Sequence, residues 1–430
     1  MSKFQTVILG IFVVCLVGGV IAFMSYKGTG NSTQLPEISM WGTFSADVFN
    51  SYVTMINSKS ANSVSVKYRQ IKPDQFYLTF ITALARRAGP DAVLLPSDLL
   101  LPNIDKVMLI PYTALSQRTF LDTYIQEANI YVKTKGTLAI PFTIDPLVMY
   151  WNRDMFNAAS IATYPKYWDE FTSLAAKLTD HDNDGNIKKS AVAMGDFSNT
   201  TNARELLGTL LLQLKNPITK DNEYGELVTT ISSSANSTTQ SVLKFYTQFV
   251  DPSSQNYSWN KGMPNDKTAF LSATVATYFG FASEISELRS KNPNLDFDVA
   301  PIPQVRTGGT KATYGRMSGF SVLKSSANTN NAYQVIATLT APSNIAKLAS
   351  TMYLPPVRRD LIAQGSTDPY LSVFNSVALT SNTWLDADPI KSRQLFANMV
   401  QSITSGKSTI STAIDTMNKQ YNVLLRSVTQ

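Results

Sequence analysis

Cysteine and histidine are almost absent: the 430 residues hold one of each, Cys15 and His181. A lone cysteine cannot close an internal disulfide, and one cysteine with one histidine cannot build a zinc site. Any Ser-His or Cys-His nucleophile would have to use His181, which lies in an Asp-rich stretch unlike a buried active site. Most hydrolase templates fail at that first step. Charge is also scarce, at 16% of residues against 44% hydrophobic, which marks a folding chain rather than a disordered one. The net charge of +6 comes from single lysines and arginines along the whole length. The only tight basic pairs are Arg86-Arg87, Lys188-Lys189 and Arg358-Arg359. No basic stretch is interleaved with aromatics, so nucleic acid is set aside as a partner.

One long apolar run is present. Val7 to Met24 reads VILGIFVVCLVGGVIAFM, eighteen residues without a charge, enough to span a bilayer as a helix. Lys3 and the amino terminus precede it, which favours a cytoplasmic N-terminus and an extracytoplasmic remainder. Ser25 to Gln34 follows as a polar linker. Cleavage after Ala22, behind Val20 and Ile21, is the competing reading. Lipid attachment at Cys15 is disfavoured, because Val14 is bulky and the apolar run continues past the cysteine. Both main readings place the rest of the chain outside the membrane.

From Glu37 onward short apolar runs alternate with amphipathic stretches, the pattern of α/β construction, and the length suits two lobes. Ile38–Trp41 reads as a strand and Ala46–Asn57 as a helix with Phe49, Tyr52, Val53 and Ile56 on one face. Val64–Tyr68 alternates as a strand, and Pro73 opens a helix. Residues 89–98, GPDAVLLPSD, read as turn, strand and helix-starting loop. A second series follows: strands at Leu147–Trp151, Ala191–Met194, Ala273–Phe279 and Phe297–Ile302. Helices are expected at Trp168–Leu178, Asn202–Leu214 and Ser237–Phe249, and one helical segment over Ala387–Arg426.

In open α/β sheets ligands bind beyond the carboxyl ends of the strands. Two such loops are readable here, Gly42-Thr43 and Pro96-Ser97-Asp98. Gly42 lets a ligand approach the backbone, and Ser97 or Asp98 can accept a hydroxyl hydrogen bond or cap a helix. Flat rings suit the C–H face of a sugar; Trp41, Trp259, Tyr278, Tyr353 and Trp384 are the candidates, with core packing as the alternative for each. Gly280, following Tyr278, joins the ligand set. Arg316 and Arg358 are weaker candidates that would clamp a carboxylate on an acidic ligand.

Several stretches taken together resemble a known family. They are Ile38-Ser39-Met40-Trp41-Gly42, Gly89-Pro90-Asp91-Ala92-Val93 and Ile140-Pro141-Phe142 running into Met149-Tyr150-Trp151-Asn152. Tyr164-Pro165 to Trp168-Asp169-Glu170-Phe171, Phe270–Ala276, Ala300-Pro301-Ile302-Pro303, Tyr353–Arg358 and Trp384–Asp388 continue the series. In order and spacing they resemble the extracellular solute-binding proteins of ABC importers, the branch similar to maltose- and oligosaccharide-binding proteins. Ser272-Ala273-Thr274 departs from the Gly-Lys usual before that strand.

The resemblance implies a two-lobed periplasmic-binding-protein-like α/β fold, here preceded by one N-terminal transmembrane helix. Residues 1–34 are then anchor and linker, 35–144 with 304–352 form lobe 1, and 145–303 with 353–430 form lobe 2. The hinge crossings are expected near Thr143–Asp145, Ala300–Gln304 and Tyr353–Arg358, and Asp145, at the first of them, completes the ligand set. A small ligand, a carbohydrate by resemblance and aromatic content, is held between the lobes and passed to an ABC permease. No catalysis is expected. A surface glycosidase and a ligand-sensing receptor stay open as rival classes.

Asp180, Asp182, Asp184 and Asn186, with Gly185, have the oxygen spacing of a calcium loop. Ala191 stands where the closing glutamate should be, so the loop reads either as an incomplete Ca²⁺ site or as a solvated Asx-rich turn. The sequons at Asn31, Asn199, Asn236 and Asn256 read as accidents of a surface rich in Ser, Thr and Asn.

Overall fold

A computed structural model describes residues 36–58, 63–234 and 237–429. The expected anchor at Val7–Met24 lies outside these residues, and among them no helix is long and apolar enough to cross a membrane.

The first half of the sheet comes from β1 (Ile38–Gly42), β2 (Val66–Gln70) and β3 (Ala92–Pro96). Helices α1 (Ala46–Asn57) and α2 (Pro73–Ala85) connect these strands. Each helix follows from its apolar spacing: Phe49, Tyr52 and Ile56 bury one face of α1, and Phe76 and Phe80 bury one face of α2. Pro73 starts α2, where a missing N–H costs nothing. All three strands run parallel, as helical crossovers require.

Strand β4 (Ile140–Asn152) is the long element at the centre. The second half of the sheet adds β5 (Ile187–Val192), helix α3 (Ala203–Gln213), β6 (Val275–Phe281) and β7 (Phe297–Ala300). Strand β8 (Thr313–Val322), the short β9 (Ser381–Asn382), α4 (Pro389–Thr404) and α5 (Ile410–Thr429) complete the chain. The strand order is β2-β1-β3-β8-β4-β6-β5, ending on the Asp180–His181 strand; β7 pairs with β4 and β9 with β8. One ten-stranded sheet therefore runs through both lobes.

Its two ends serve different cores. Ile38, Phe49, Phe80, Phe142, Ile144, Met317 and Phe320 belong to one buried cluster, that of lobe 1. Leu147, Trp168, Leu206, Phe279, Tyr314 and Trp384 belong to another, on the lobe 2 side, where Tyr150, Trp259 and Tyr278 form a third. The core changes along β4 between Ile144 and Leu147, and along β8 between Tyr314 and Met317. The second change comes later than the expected Ala300–Gln304: Ile302, Ala312 and Tyr314 still pack in lobe 2. Farther on, Leu354 packs with lobe 2 and Val357 with lobe 1.

The C-terminal segment is two helices rather than one. Asp388 caps α4 by accepting from Ile390 N and Lys391 N, and Gly406, at φ +71°, breaks the run between α4 and α5.

Candidate functional site

The two strands that carry the chain between cores are antiparallel neighbours, and their register sets Arg316 of β8 opposite Asp145 of β4. Both residues thus stand at the crossing, where one core gives way to the other. The Arg316 guanidinium lies 3.9 Å from the centre of the Phe281 ring and makes no hydrogen bond or ion pair with any described residue. Burial works against its charge, but Tyr314, Asp145, Asp98 and Glu205 around it hold its pKa above the ordinary arginine value. Asp145 is tied down: Ser283 donates from its N at 3.0 Å to one oxygen and from its Oγ at 2.6 Å to the other. Burial lifts the Asp145 carboxyl to about 6, against the opposing pull of Arg316 and Ser283.

Lobe 1 supplies Ser97 and Asp98, at the carboxyl end of β3. Ser97 is fully buried and its Oγ has no partner. Asp98 is half-buried and its carboxylate makes no hydrogen bond or ion pair with a described residue. Burial raises it, while Arg316 and then Arg204 pull the other way. Arg204 stands on α3, whose Ala203 and Leu206 pack in the lobe 2 core, so the charge of Asp98 is felt from the lobe 2 side as well. Tyr131, also on the lobe 1 side, is fully buried with an unpartnered hydroxyl, raised by burial and then by the charges of Glu127 and Asp98.

Lobe 2 answers with a buried ionic network at the start of α3. Arg204 pairs with Asp386 and, at 3.2 Å, with Glu205; the side chains of Arg204 and Asp386 are 3% and 0% exposed. Asp386 also accepts from Ser392 Oγ at 2.5 Å and from Asp388 N at 3.2 Å. The Arg204 guanidinium covers the Trp384 ring at 4.8 Å, and Trp384 Nε1 donates to the Tyr421 hydroxyl at 3.2 Å. Arg204 Nε is buried without a partner. The network holds Arg204 and Trp384 rigidly on the lobe 2 side of the gap.

Ser97, Asp98, Asp145 and Arg316, with Trp384 behind Arg204, are thus brought together. The other expected residues have packing or hydrogen-bond partners of their own. Trp259 is fully buried, its Nε1 donating to Asn199 Oδ1 at 2.8 Å, because it fills the third core. Tyr278 is 1% exposed, stacked on Tyr150 at 6.0 Å with its hydroxyl donating to Glu284. Gly280 is small to make room for those two tyrosines: a Cβ there would collide with Tyr278 Cε1. Gly42 answers a similar need, since a Cβ on it would lie 2.6 Å from Tyr68 Oη and 3.1 Å from Leu94 Cβ. Tyr353 ends a helix in the left-handed region, φ 55°, and its hydroxyl donates to Asp368 at 2.6 Å. Trp41 is 8% exposed, with the Arg69 guanidinium 4.7 Å over its ring. Arg358 is taken up by Asp360, at 3.0 and 2.9 Å.

Arg204, Glu205 and Asp386 escape a sequence reading because 182 residues separate Arg204 from Asp386. The usable signal is the run of Asp386, Asp388 and Pro389, an acid ahead of a capped helix start.

In the Asp-rich loop, Asp182 Oδ1 accepts from Asp184 N at 2.9 Å and Asn186 N at 2.8 Å, an Asx turn closing a hairpin. Among the described residues no three His, Cys, Asp or Glu side chains converge as a metal ion would require. An apolar groove of about 330 Å³ lies on lobe 2 between Trp168, Leu210, Phe245 and Val305, and contains none of the cleft charges.

A family model described as bacterial extracellular solute-binding protein matches residues 51–371. The chain belongs to that family. Ser97, Asp98, Asp145, Arg204 and Arg316 fall inside the matched stretch of the solute-binding protein, whereas Trp384 and Asp386 lie beyond it. A putative binding protein of Brucella abortus (strain 2308) is 21% identical over 266 residues, 61% of this chain. The match spans 59% of that relative's length. Among solved structures, the cyclic α-maltosyl-1,6-maltose binding protein of Arthrobacter globiformis aligns with a TM-score of 0.71 and 15% identity, over 91% of this chain and all of that one. An ABC substrate-binding protein of Listeria monocytogenes in complex with cycloalternan aligns at 0.70 and 16%, over 92% of this chain and all of that one. A mannobiose-bound binding protein aligns at 0.68 and 20%, over 90% and 99% of the two chains. At these identities the solved structures speak for the fold.

Proposed function

We propose that the chain is the extracytoplasmic capture subunit of an ABC importer, tethered by an N-terminal helix at Val7–Met24. It holds a carbohydrate between the lobes and presents it to a permease. The observation that carries this reading is the free pair in the cleft. Asp98 offers acceptors from lobe 1 and Arg316 offers donors from the crossing strand, and neither has a partner among the described residues. A hydroxyl group both donates and accepts, so one polyhydroxylated ligand can satisfy both groups at once. Unpaired polar groups in a half-buried gap are costly, and a ligand that pairs them is bound correspondingly well. The neighbours whose names record mannobiose, cycloalternan and a cyclic maltosyl-maltose support a sugar as the class. Closure of the two lobes would bend the strands that join them, β4 and β8, where the core changes along each.

Hydrolysis is the rival class. Asp98 and Asp145 are two carboxyls near one guanidinium, but Ser283 binds both oxygens of Asp145 and so fixes that carboxyl to its own side of the crossing. Thermal unfolding of the purified chain against a panel of mono- and oligosaccharides tests the proposal. A sugar at a hundred times its Kd should stabilise the fold by about 2.7 kcal/mol and be recovered intact. Recovery of a cleaved product would replace the binding reading with an enzymatic one.

A further inference from the structure

Glu127 lies on the 3₁₀ turn Gln126–Tyr131 in lobe 1 and is 2% exposed. Its Oε1 accepts a hydrogen bond from Met317 N at 3.1 Å, and its Oε2 has no partner. The same carboxyl is pressed onto the strand two residues earlier: a Cβ at Gly315 would collide with Oε2, and Ser381 of β9 would crowd that position at 2.9 Å. Residues 315 and 317 of a strand point to one face and residue 316 to the other. The carboxyl therefore grips β8 on both sides of Arg316, from the face opposite the one where Arg316 meets Phe281.

We propose that Glu127 is the positioning residue for Arg316, its buried carboxyl clamping the hinge strand so that Arg316 is held over Phe281 and ready for the ligand. The inference rests on the cleft reading above for Arg316's part in capture, and adds a dependence on pH.

Burial favours the uncharged form, because among the described residues no cation pairs with the Glu127 carboxyl. On its own turn Glu127 faces the Tyr131 hydroxyl. On β8 the neighbours are Tyr314 and Arg316, on the Ser97–Leu99 turn Asp98, and on β4 Asp145, while β9 contributes only Ser381 and Asn382. The packed helix Gln117–Thr123 carries Arg118 and Asp122, which pair with each other at the surface. No cation among the described residues offsets the burial of Glu127, which lifts its carboxyl to about 8, eased only by the Met317 N–H. Ionisation leaves a bare charge against the backbone at Gly315, and the strand must shift to relieve it.

The test uses the full chain without added sugar and reads the ¹³Cζ resonance of Arg316 by carbon-detected NMR, assigned by its loss in Arg316→Lys. Stacking places this carbon 3.9 Å from the centre of the Phe281 ring, in its shielding region. In the wild type the resonance should move with a midpoint near pH 8, the value burial imposes on Glu127. In Glu127→Gln it should hold its low-pH position from pH 6 to pH 9.5, and in Glu127→Ala it should be displaced at every pH. A titration surviving unchanged in Glu127→Gln, or none in the wild type, overturns the proposal. Failure of the cleft reading would look different: Arg316→Ala would keep its full response to sugar, while the Arg316 signal of the wild type still followed Glu127.

Discussion

Replacing Asp386 with alanine should be among the most destabilising single changes in lobe 2. Its carboxylate is wholly buried and collects Arg204, Ser392 Oγ, Asp388 N and, at 3.4 Å, the Tyr421 hydroxyl. Without it Arg204, 3% exposed, keeps Glu205 as its one ion-pair partner among the described residues, and Glu205 is shared with Arg393 at 3.4 Å. Breaking a buried pair from one side costs about 3–5 kcal/mol, because the remaining charge stays desolvated. At roughly 2–4 °C per kcal/mol for a lobe of this size, the melting midpoint should fall by on the order of 10 °C. Urea unfolding of the wild type, Asp386→Ala and the double variant Arg204→Met with Asp386→Leu gives the free energies. The double variant should regain most of the loss, since an apolar pair of similar volume needs no charge compensation. An Asp386→Ala loss below about 1 kcal/mol would refute the network's role in stability.

The core and titration assignments give two further expectations. Trp259→Ala should cost about 3–5 kcal/mol by opening a cavity in the third core, yet leave the sugar affinity of the folded fraction unchanged, as titration calorimetry would show. Glu127 should impose an unusual pH slope on stability. Its carboxyl stands at about 8 in the folded chain against an ordinary 4.5, so between those values the folded state binds the extra proton and stability falls as pH rises. Chemical denaturation of the wild type should lose about 3 kcal/mol more than Glu127→Gln between pH 4.5 and pH 7; equal slopes would contradict the assignment.

The elements of lobe 1 are readable because their signals are local. Apolar spacing and Pro73 mark α1 and α2, and the observed bounds of α1 coincide with the expected Ala46–Asn57. Strand bounds drift more: the strand expected at Ala191–Met194 runs over Ile187–Val192, because its exposed Lys188 and Lys189 hide it from an apolar pattern. The hinge is harder. Nothing local says that the chain from Ile302 to Tyr314 packs in lobe 2, since that depends on what lies across from it. The site divides along the same line. Asp98 and Ser97 are legible from strand-end logic, whereas the large aromatics mislead, because Trp259 and Tyr278 satisfy their polar atoms inside the core. Arg316 stands out only weakly, as its importance comes from the register with Asp145 and the ring of Phe281.

The central claim is that one sugar bridges Asp98 and Arg316 between the lobes. The most direct measurement is a double-mutant cycle by titration calorimetry, with the sugar that stabilises the wild type, on Asp98→Ala, Arg316→Ala and the pair. Each single change should weaken binding at least tenfold, about 1.4 kcal/mol, and the double variant should lose less than the sum because one ligand couples the two groups. Wild-type affinity in both single variants would contradict the account and move the ligand out of this cleft.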